Sequence, residues 1–429
     1  MIDVFQYEDT KFPKGFKWGV TTAAMQVEGG NHSFYDYEET APKFAYGGLP
    51  YKMANKAANS YELYEEDIKL IKTMNLNSYR LSIEWSRIEP NEGEFNIDET
   101  NYYINLLKRL KEENISVVLT LHHFSHPVWF EKKKAFKTMD NIDAWERFLN
   151  YIVPKIEEYV DYWIVINELN LAFKFDSAER VNMLQYHAKG YHLIKKYSNK
   201  PVSSSLSYSI KEPLRGQNDY PDKVFADYID FVENEFFIHA IKTGEIVMPF
   251  MDAVVMPELK DTCDFWSLNT YVRHLINSRK KDYMFDQYQA TKFKAIDIPF
   301  FTEEITPEIM FKMLMRFNDR PIMITENGIA VKDDRIREIY IASMLKAMGQ
   351  AIDYGVNVIG YMHFSLIDNW EWGINEPIFG LASFDPETFE RTLKPSGYFY
   401  GDIAKENALT QEIIRKHLKE LPSIINYEK

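Results

Sequence analysis

A single cysteine, Cys263, occurs among 429 residues. It excludes an intrachain disulfide framework and any cysteine-rich zinc site, and makes a reducing, cytoplasmic setting the default expectation. Basic residues are also short, 50 against 64 acidic, for a net charge of −14. Such a surface repels a phosphate backbone, so no nucleic-acid partner is expected, whereas a neutral small substrate is compatible with it. No apolar stretch approaches the roughly 20 residues a bilayer span requires, so no membrane partner is expected. The segment Met1-Ile-Asp-Val-Phe-Gln-Tyr-Glu-Asp9 lacks the basic stretch and apolar core of a secretory signal. Low-complexity linkers are missing too, and residues 1–429 are therefore expected to form one domain.

What is present is apolar and aromatic: 45% hydrophobic residues and 15% Phe, Trp and Tyr. That supplies a large core and a pocket able to stack on flat or sugar-like ligands. Short β-type runs recur at Phe16–Val20, Asn77–Ile83, Val117–His122, Trp163–Glu168, Val202–Tyr208, Phe265–Tyr271, Pro321–Glu326 and Ile359–Leu366. Helical periods separate most of them. Tyr61, Tyr64, Ile68 and Ile71 form one. Ile142, Trp145, Leu149, Ile152 and Ile156 form another, with Asp140 as its expected cap. Ile336, Ile339, Ser343, Ala347 and Ala351 form a third, stopped by Gly355. Runs such as Val117-Val-Leu-Thr-Leu121 are continuously apolar, as parallel strands covered by helices are. Eight β-then-α units predict an α/β fold, a single-domain (β/α)8 TIM barrel. A doubly wound open sheet is the runner-up, weakened because no Gly-rich loop of dinucleotide spacing follows a strand.

In a barrel the chemistry sits at the C-terminal strand ends. Two runs stop there on a carboxylate beside an asparagine: Asn167-Glu168 on strand four and Glu326-Asn327 on strand seven. Two carboxylates aimed into one site are the equipment for acid/base and nucleophilic chemistry on a glycosidic bond. Other strand ends carry Gln26 and Glu28, Arg80, His122-His123, Asn269 and Tyr271, and Trp370-Glu371-Trp372. Each alone has a plain reading: Arg80 as a structural ion pair, His123 as a core histidine, the tryptophans as packing. His122, His123 and His126 do not make a metal site, because adjacent strand residues face opposite ways and no carboxylate lies at ligand spacing. Polar groups at six or more strand ends together are hard to explain as packing.

Five blocks in order resemble glycoside hydrolase family 1, the retaining β-glycosidases, from about Phe12 to about Tyr400. The blocks include Phe12 to Gly30, Tyr79-Arg-Leu-Ser-Ile-Glu-Trp-Ser-Arg-Ile88, Ile324-Thr-Glu-Asn-Gly-Ile329 and Ser365-Leu-Ile-Asp-Asn-Trp-Glu-Trp372. The resemblance implies Glu326 as nucleophile and Glu168 as general acid/base. It implies that Arg80 and Tyr271 hold Glu326 ionised. Gln26, His123, Asn167, Asn269, Phe364, Glu371 and Trp372 would line the sugar site, with Asn167 facing the 2-hydroxyl. No cofactor and no metal are implied. The expected reaction is hydrolysis of a terminal β-linked glucose, galactose or related sugar through a covalent glycosyl-enzyme. Glu168 is expected to be pushed up by desolvation and by the neighbouring anion.

The chain departs from the family pattern on the leaving-group side. Leu169 stands where proline usually follows the acid/base, and a looser aim of Glu168 is expected from it. Phe124 and Phe364 stand in place of tryptophans, Ile378 in place of an arginine, and the segment Asn170–Asp176 is short. Two other readings follow. One is a degenerate barrel that binds sugar without turnover, opposed by the retained carboxylate pair. The other is a 6-phospho-β-glycosidase, opposed because no Ser or Lys lies between Trp372 and Phe379 and a phosphate would meet Glu371 and Glu376.

Overall fold

The structure is a computed structural model that describes residues 2–45, 49–171, 177–248, 252–279 and 305–422. Eight parallel strands form the barrel: β1 (Lys17–Thr21), β2 (Ser78–Ser82), β3 (Ser116–His122), β4 (Tyr162–Ile166), β5 (Val202–Ser203 and Ser205–Ser207), β6 (Trp266–Asn269), β7 (Ile322–Asn327) and β8 (Val358–Phe364). All eight predicted runs are strands. β5 is interrupted at Ser204, and the ring closes through it: its first half pairs with β4 (Trp163↔Val202) and its second with β6 (Ser267↔Ser205). The open-sheet alternative falls with that closure.

Helices alternate with the strands: α1 (Ser60–Thr73), α2 (Ile97–Glu112), α3 (Ile142–Ile156), α4 (Ser177–Tyr197), α5 (Tyr220–Asp230), α6 (Phe236–Thr243), α7 (Glu308–Leu314), α8 (Asp334–Asp353) and α9 (Pro395–Glu406). α3 shows why they dock. Trp145, Phe148, Leu149, Ile152, Val153 and Ile156 lie on one stripe and are all buried. Gly355 ends α8 as expected, at φ +92°, with its N–H on Ile352 O and that of Val356 on Ala351 O. Asp140 does not cap α3. The residue before the helix is Asn141, whose side-chain amide instead donates to the carbonyls of Lys133 and Ala135, and Asp140 sits in a preceding 3-10 turn.

The barrel interior changes character along its axis. Val118, Ile164, Phe265, Met323 and Met362 pack on one another as a cluster separate from the helix-facing core. Toward the C-terminal ends the inward positions become Arg80, Ser205, Ser267, Thr325 and Asn269, buried and hydrogen-bonded to one another. An apolar floor beneath a polar layer gives a rigid base for a site at that end.

Candidate active site

Strand β6 and its flanks follow the pleat. Phe265, Ser267, Asn269 and Tyr271 share the inward face at a spacing of two. β7 does not follow it. Its register against β6 runs Leu268↔Ile324 and then Asn269↔Glu326, and against β8 Ile324↔Tyr361 and then Asn327↔His363. One extra residue is thus accommodated at Thr325–Glu326. In a regular strand these neighbours would face opposite ways; the bulge brings both inward. Asn327 turns outward, between Thr270 O and the hydroxyls of Tyr340 and Tyr361.

Both oxygens of Glu326 are engaged. Oε1 meets the Arg80 guanidinium, and Oε2 accepts from the Tyr271 hydroxyl at 2.6 Å. Arg80 is fully buried, so its charge needs this partner; left unpaired it would cost several kcal/mol. Its Nη2 also donates to Asn167 Oδ1 at 2.6 Å. Burial, and then the Glu326 charge, push the Tyr271 phenol well above its ordinary value, so it remains a donor. The Gly328 position is equally constrained: a Cβ there would lie 1.9 Å from Phe364 O.

Glu168 follows β4 in a left-handed conformation, φ +45°, which lets Asn167 and Glu168 reach the same interior although they are consecutive. Its Oε1 accepts from Asn269 Nδ2 at 3.1 Å. Burial first, and the Glu326 charge second, push this carboxyl up to about 8. The turn after it is tied rather than loose. Leu169 is buried, and its N–H donates to Ser205 O at 3.1 Å, a bond proline could not make. The Asn170 side chain bridges both backbone polar groups of Ser207, accepting from its N–H at 2.8 Å and donating to its carbonyl at 2.9 Å. The remainder of the expected short segment, 172–176, lies outside the described residues.

Asn167 Nδ2 donates to His123 Nε2 at 3.0 Å, which places the ring proton on Nδ1. Burial, with Arg80 nearby, holds His123 neutral, so its 4.0 Å approach to Glu326 is not an ion pair. Nδ1 is buried with no hydrogen-bond partner among the described residues. Trp372 lies nearly parallel to the His123 ring, at 19° and 6.1 Å between centroids. Glu371 accepts from Gln26 at 2.7 Å and Asn369 at 3.0 Å, and burial pushes it up to about 8. Phe364 is buried edge-on to Tyr271, at 6.0 Å and 88°.

The sequence-predicted residues therefore come together. Arg80, His123, Asn167, Glu168, Asn269, Tyr271 and Glu326 form one bonded network. Gln26 and Glu371 form a second, joined to the first through Trp372 over His123. Glu28 belongs elsewhere: it is paired with Arg87 at 3.1 Å and Tyr103 at 2.9 Å. His122 faces away from His123, toward His126 at 3.2 Å, and His126 contacts Glu131. Lys52 pairs with Glu376, so a cation from a distant part of the chain stands beside the 372–379 loop. Sequence reasoning missed Ser205, Ser267, Thr325 and Asn170. The available signal was the run Ser203-Ser204-Ser205 inside a buried strand, and hydroxyls at Ser267 and Thr325 in two others.

Residues 8–409 match the model of glycosyl hydrolase family 1. The chain is 27% identical over 495 residues to a beta-galactosidase of Saccharolobus solfataricus, covering 96% of this chain and 98% of that one. It is 26% identical over 454 residues to a 1,4-beta-D-glucan glucohydrolase of Thermotoga neapolitana, covering 93% and 99%. Among solved structures, a beta-glycosidase from Pyrococcus horikoshii superposes with a TM-score of 0.84 at 29% identity, over 97% of this chain and 99% of that one. With the family matched from end to end of the barrel and the two buried carboxylates in place, this chain belongs to glycosyl hydrolase family 1 and is a glycoside hydrolase.

Proposed function

We propose that one barrel domain, residues 1–429, is a retaining exo-β-glycosidase acting on terminal β-linked glucose, galactose or a related sugar, with Glu326 as nucleophile and Glu168 as acid/base. Glu326 carboxylate attacks the anomeric carbon, the bond to the leaving oxygen breaks, and that oxygen takes the proton from Glu168. The product is a glycosyl ester on Glu326. Water then attacks the same carbon, Glu168 takes its proton, and the Glu326 carboxylate leaves. Arg80 and Tyr271 bind the two Glu326 oxygens and aim them. Asn167 and Asn269 bind and orient around the pair. Gln26, His123, Glu371 and Trp372 would hold the sugar hydroxyls and ring, with the His123 Nδ1–H as a buried donor and Phe364 as apolar floor. The mechanism uses these side chains and no cofactor.

The carrying observation is the inequality of the two glutamates. Both oxygens of Glu326 are held by a cation and a phenol, whereas Glu168 is buried with an amide as donor and stays protonated near neutral pH. The substrate names of the relatives agree with a β-glycoside. A buried, free Cys263 fits a reducing cytoplasm, and no described helix is long and apolar enough to cross a membrane. Rates over a panel of aryl β-glycosides, including a 6-phospho member, test the reading. Turnover of the unphosphorylated glycosides is expected, with azide restoring cleavage of good leaving groups in Glu168→Ala. No turnover across the panel, or no azide rescue, contradicts it.

A further inference from the structure

Behind the carboxylates, the barrel interior contains a line of hydroxyls whose direction can be read. Arg80 Nη2 can only donate, and it lies 3.3 Å from Ser205 Oγ. Ser205 therefore accepts there, and among the described contacts Ser267 Oγ at 2.7 Å is the acceptor left for its own proton. Ser267 in turn donates to Thr325 Oγ1 at 2.8 Å, and Thr325 donates to Asn269 Oδ1 at 2.7 Å. Ser205, Ser267 and Thr325 are wholly buried and Asn269 nearly so, so water does not offer alternative partners. An amide has two orientations; this line on one side, and Asn167 Oδ1, fixed as an acceptor by Arg80, on the other, both select Oδ1 toward Thr325 and Nδ2 toward Asn167 at 3.0 Å and Glu168 at 3.1 Å.

Building on the acid/base assignment above, we propose that Thr325 is a positioning residue for Glu168: backed by Ser267 and Ser205, its hydroxyl locks the Asn269 amide so that an N–H, never the carbonyl, faces the acid/base carboxylate. Thr325 faces inward by the ordinary pleat, two residues after Met323, and the bulge of β7 brings its neighbour Glu326 into the same interior. The chemistry explains the need. An N–H donor stabilises the carboxylate that Glu168 becomes once it has given up its proton. A flipped amide would present Oδ1, which would repel that carboxylate and hold the proton on the acid instead. Other charged or titratable groups acting on Glu168 are Glu326 from β7, Arg80 from β2, Tyr271 beyond β6 and Glu371 beyond β8; Ser207 of β5 adds a hydroxyl contact.

Thr325→Val removes the hydroxyl at nearly constant shape, and Thr325→Ser keeps it. The titration of Glu168 in the resting protein can be followed by carbon-13 NMR of labelled glutamate carboxyls, with the signal assigned by its loss in Glu168→Gln. In Thr325→Val the midpoint is expected to rise by roughly half to one pH unit, and the alkaline limb of kcat/KM to rise with it. For a dinitrophenyl glycoside limited by the water step, kcat should fall by roughly 3–10-fold, the factor that corresponds to such a shift. Thr325→Ser should restore both, and Ser267→Ala should move them in the same direction by less. An unmoved midpoint in Thr325→Val, or a Thr325→Ser variant as impaired as Thr325→Val, overturns the proposal. Should Thr325→Val fail to fold, an unmoved midpoint in Ser267→Ala overturns it instead. The resting titration needs no turnover, so its failure is distinct from failure of the acid/base assignment, which would show as missing azide rescue in Glu168→Ala.

Discussion

Replacing Glu326 with glutamine should make Glu168 a stronger acid. Burial and the Glu326 charge, in that order, lift Glu168 to about 8. Carboxylates in a retaining pair stand roughly 5–5.5 Å apart, and two unit charges at that distance in an effective dielectric near 20 repel by about 3 kcal/mol. That corresponds to about two pH units, reduced by Arg80, which sits against Glu326 and offsets part of its field. Removing the charge should therefore bring the Glu168 midpoint down by roughly one to two pH units, leaving the contribution of burial in place. The covalent ester on Glu326 cancels the same charge, so the trapped glycosyl-enzyme should show the same fall. On the proposed mechanism, that fall would convert Glu168 from acid to base between the two steps. Carbon-13 titration of the Glu168 carboxyl in the wild type, in Glu326→Gln and in the trapped intermediate measures all three. A midpoint that stays within about half a pH unit in both altered states would refute the charge coupling and leave burial as the whole cause.

Arg80→Met should lower kcat by roughly 10²–10³-fold with KM little changed, because the buried guanidinium holds Glu326 and Asn167; steady-state kinetics decide, and a change confined to KM contradicts it. Glu168 has its folded midpoint raised from an ordinary 4.5 to about 8, so the stability it contributes is fully present below about 4.5 and is lost as pH rises toward 8. Glu168→Gln should therefore gain on the wild type by about 2–4 kcal/mol between pH 5 and pH 8 in denaturant melts, and equal pH dependence of the two proteins contradicts the buried, protonated state. Leu169→Pro removes the N–H that Ser205 O accepts and should cost about 1–3 kcal/mol in addition to lost packing, seen as a lower Tm; an unchanged Tm would mean that the bond does not hold this turn.

The strands were legible because each is a short apolar run, and the closure of the barrel was legible from their number. The two glutamates were legible because each interrupts such a run with charge. What brings them inward was not. A period of two places Thr325 and Glu326 on opposite faces, and no residue near them announces the extra step in β7. The left-handed backbone of Glu168 is adopted by a residue with no preference for it. Ser205 and Ser267 fell inside predicted strands, but nothing in a single strand shows that hydroxyls from β5, β6 and β7 meet across the barrel. Leu169 suggested a looser acid/base only because the missing ring was visible in the sequence, whereas the N–H it frees and the acceptor on β5 are three-dimensional facts.

The assignment of Glu326 as nucleophile meets its most direct test in a 2-deoxy-2-fluoro β-glycoside with a good leaving group, followed by peptide mass spectrometry. The account predicts time-dependent inactivation with one sugar bound to the peptide Ile324-Thr325-Glu326-Asn327, at Glu326. Label on another residue, or continued turnover with no label, would contradict it.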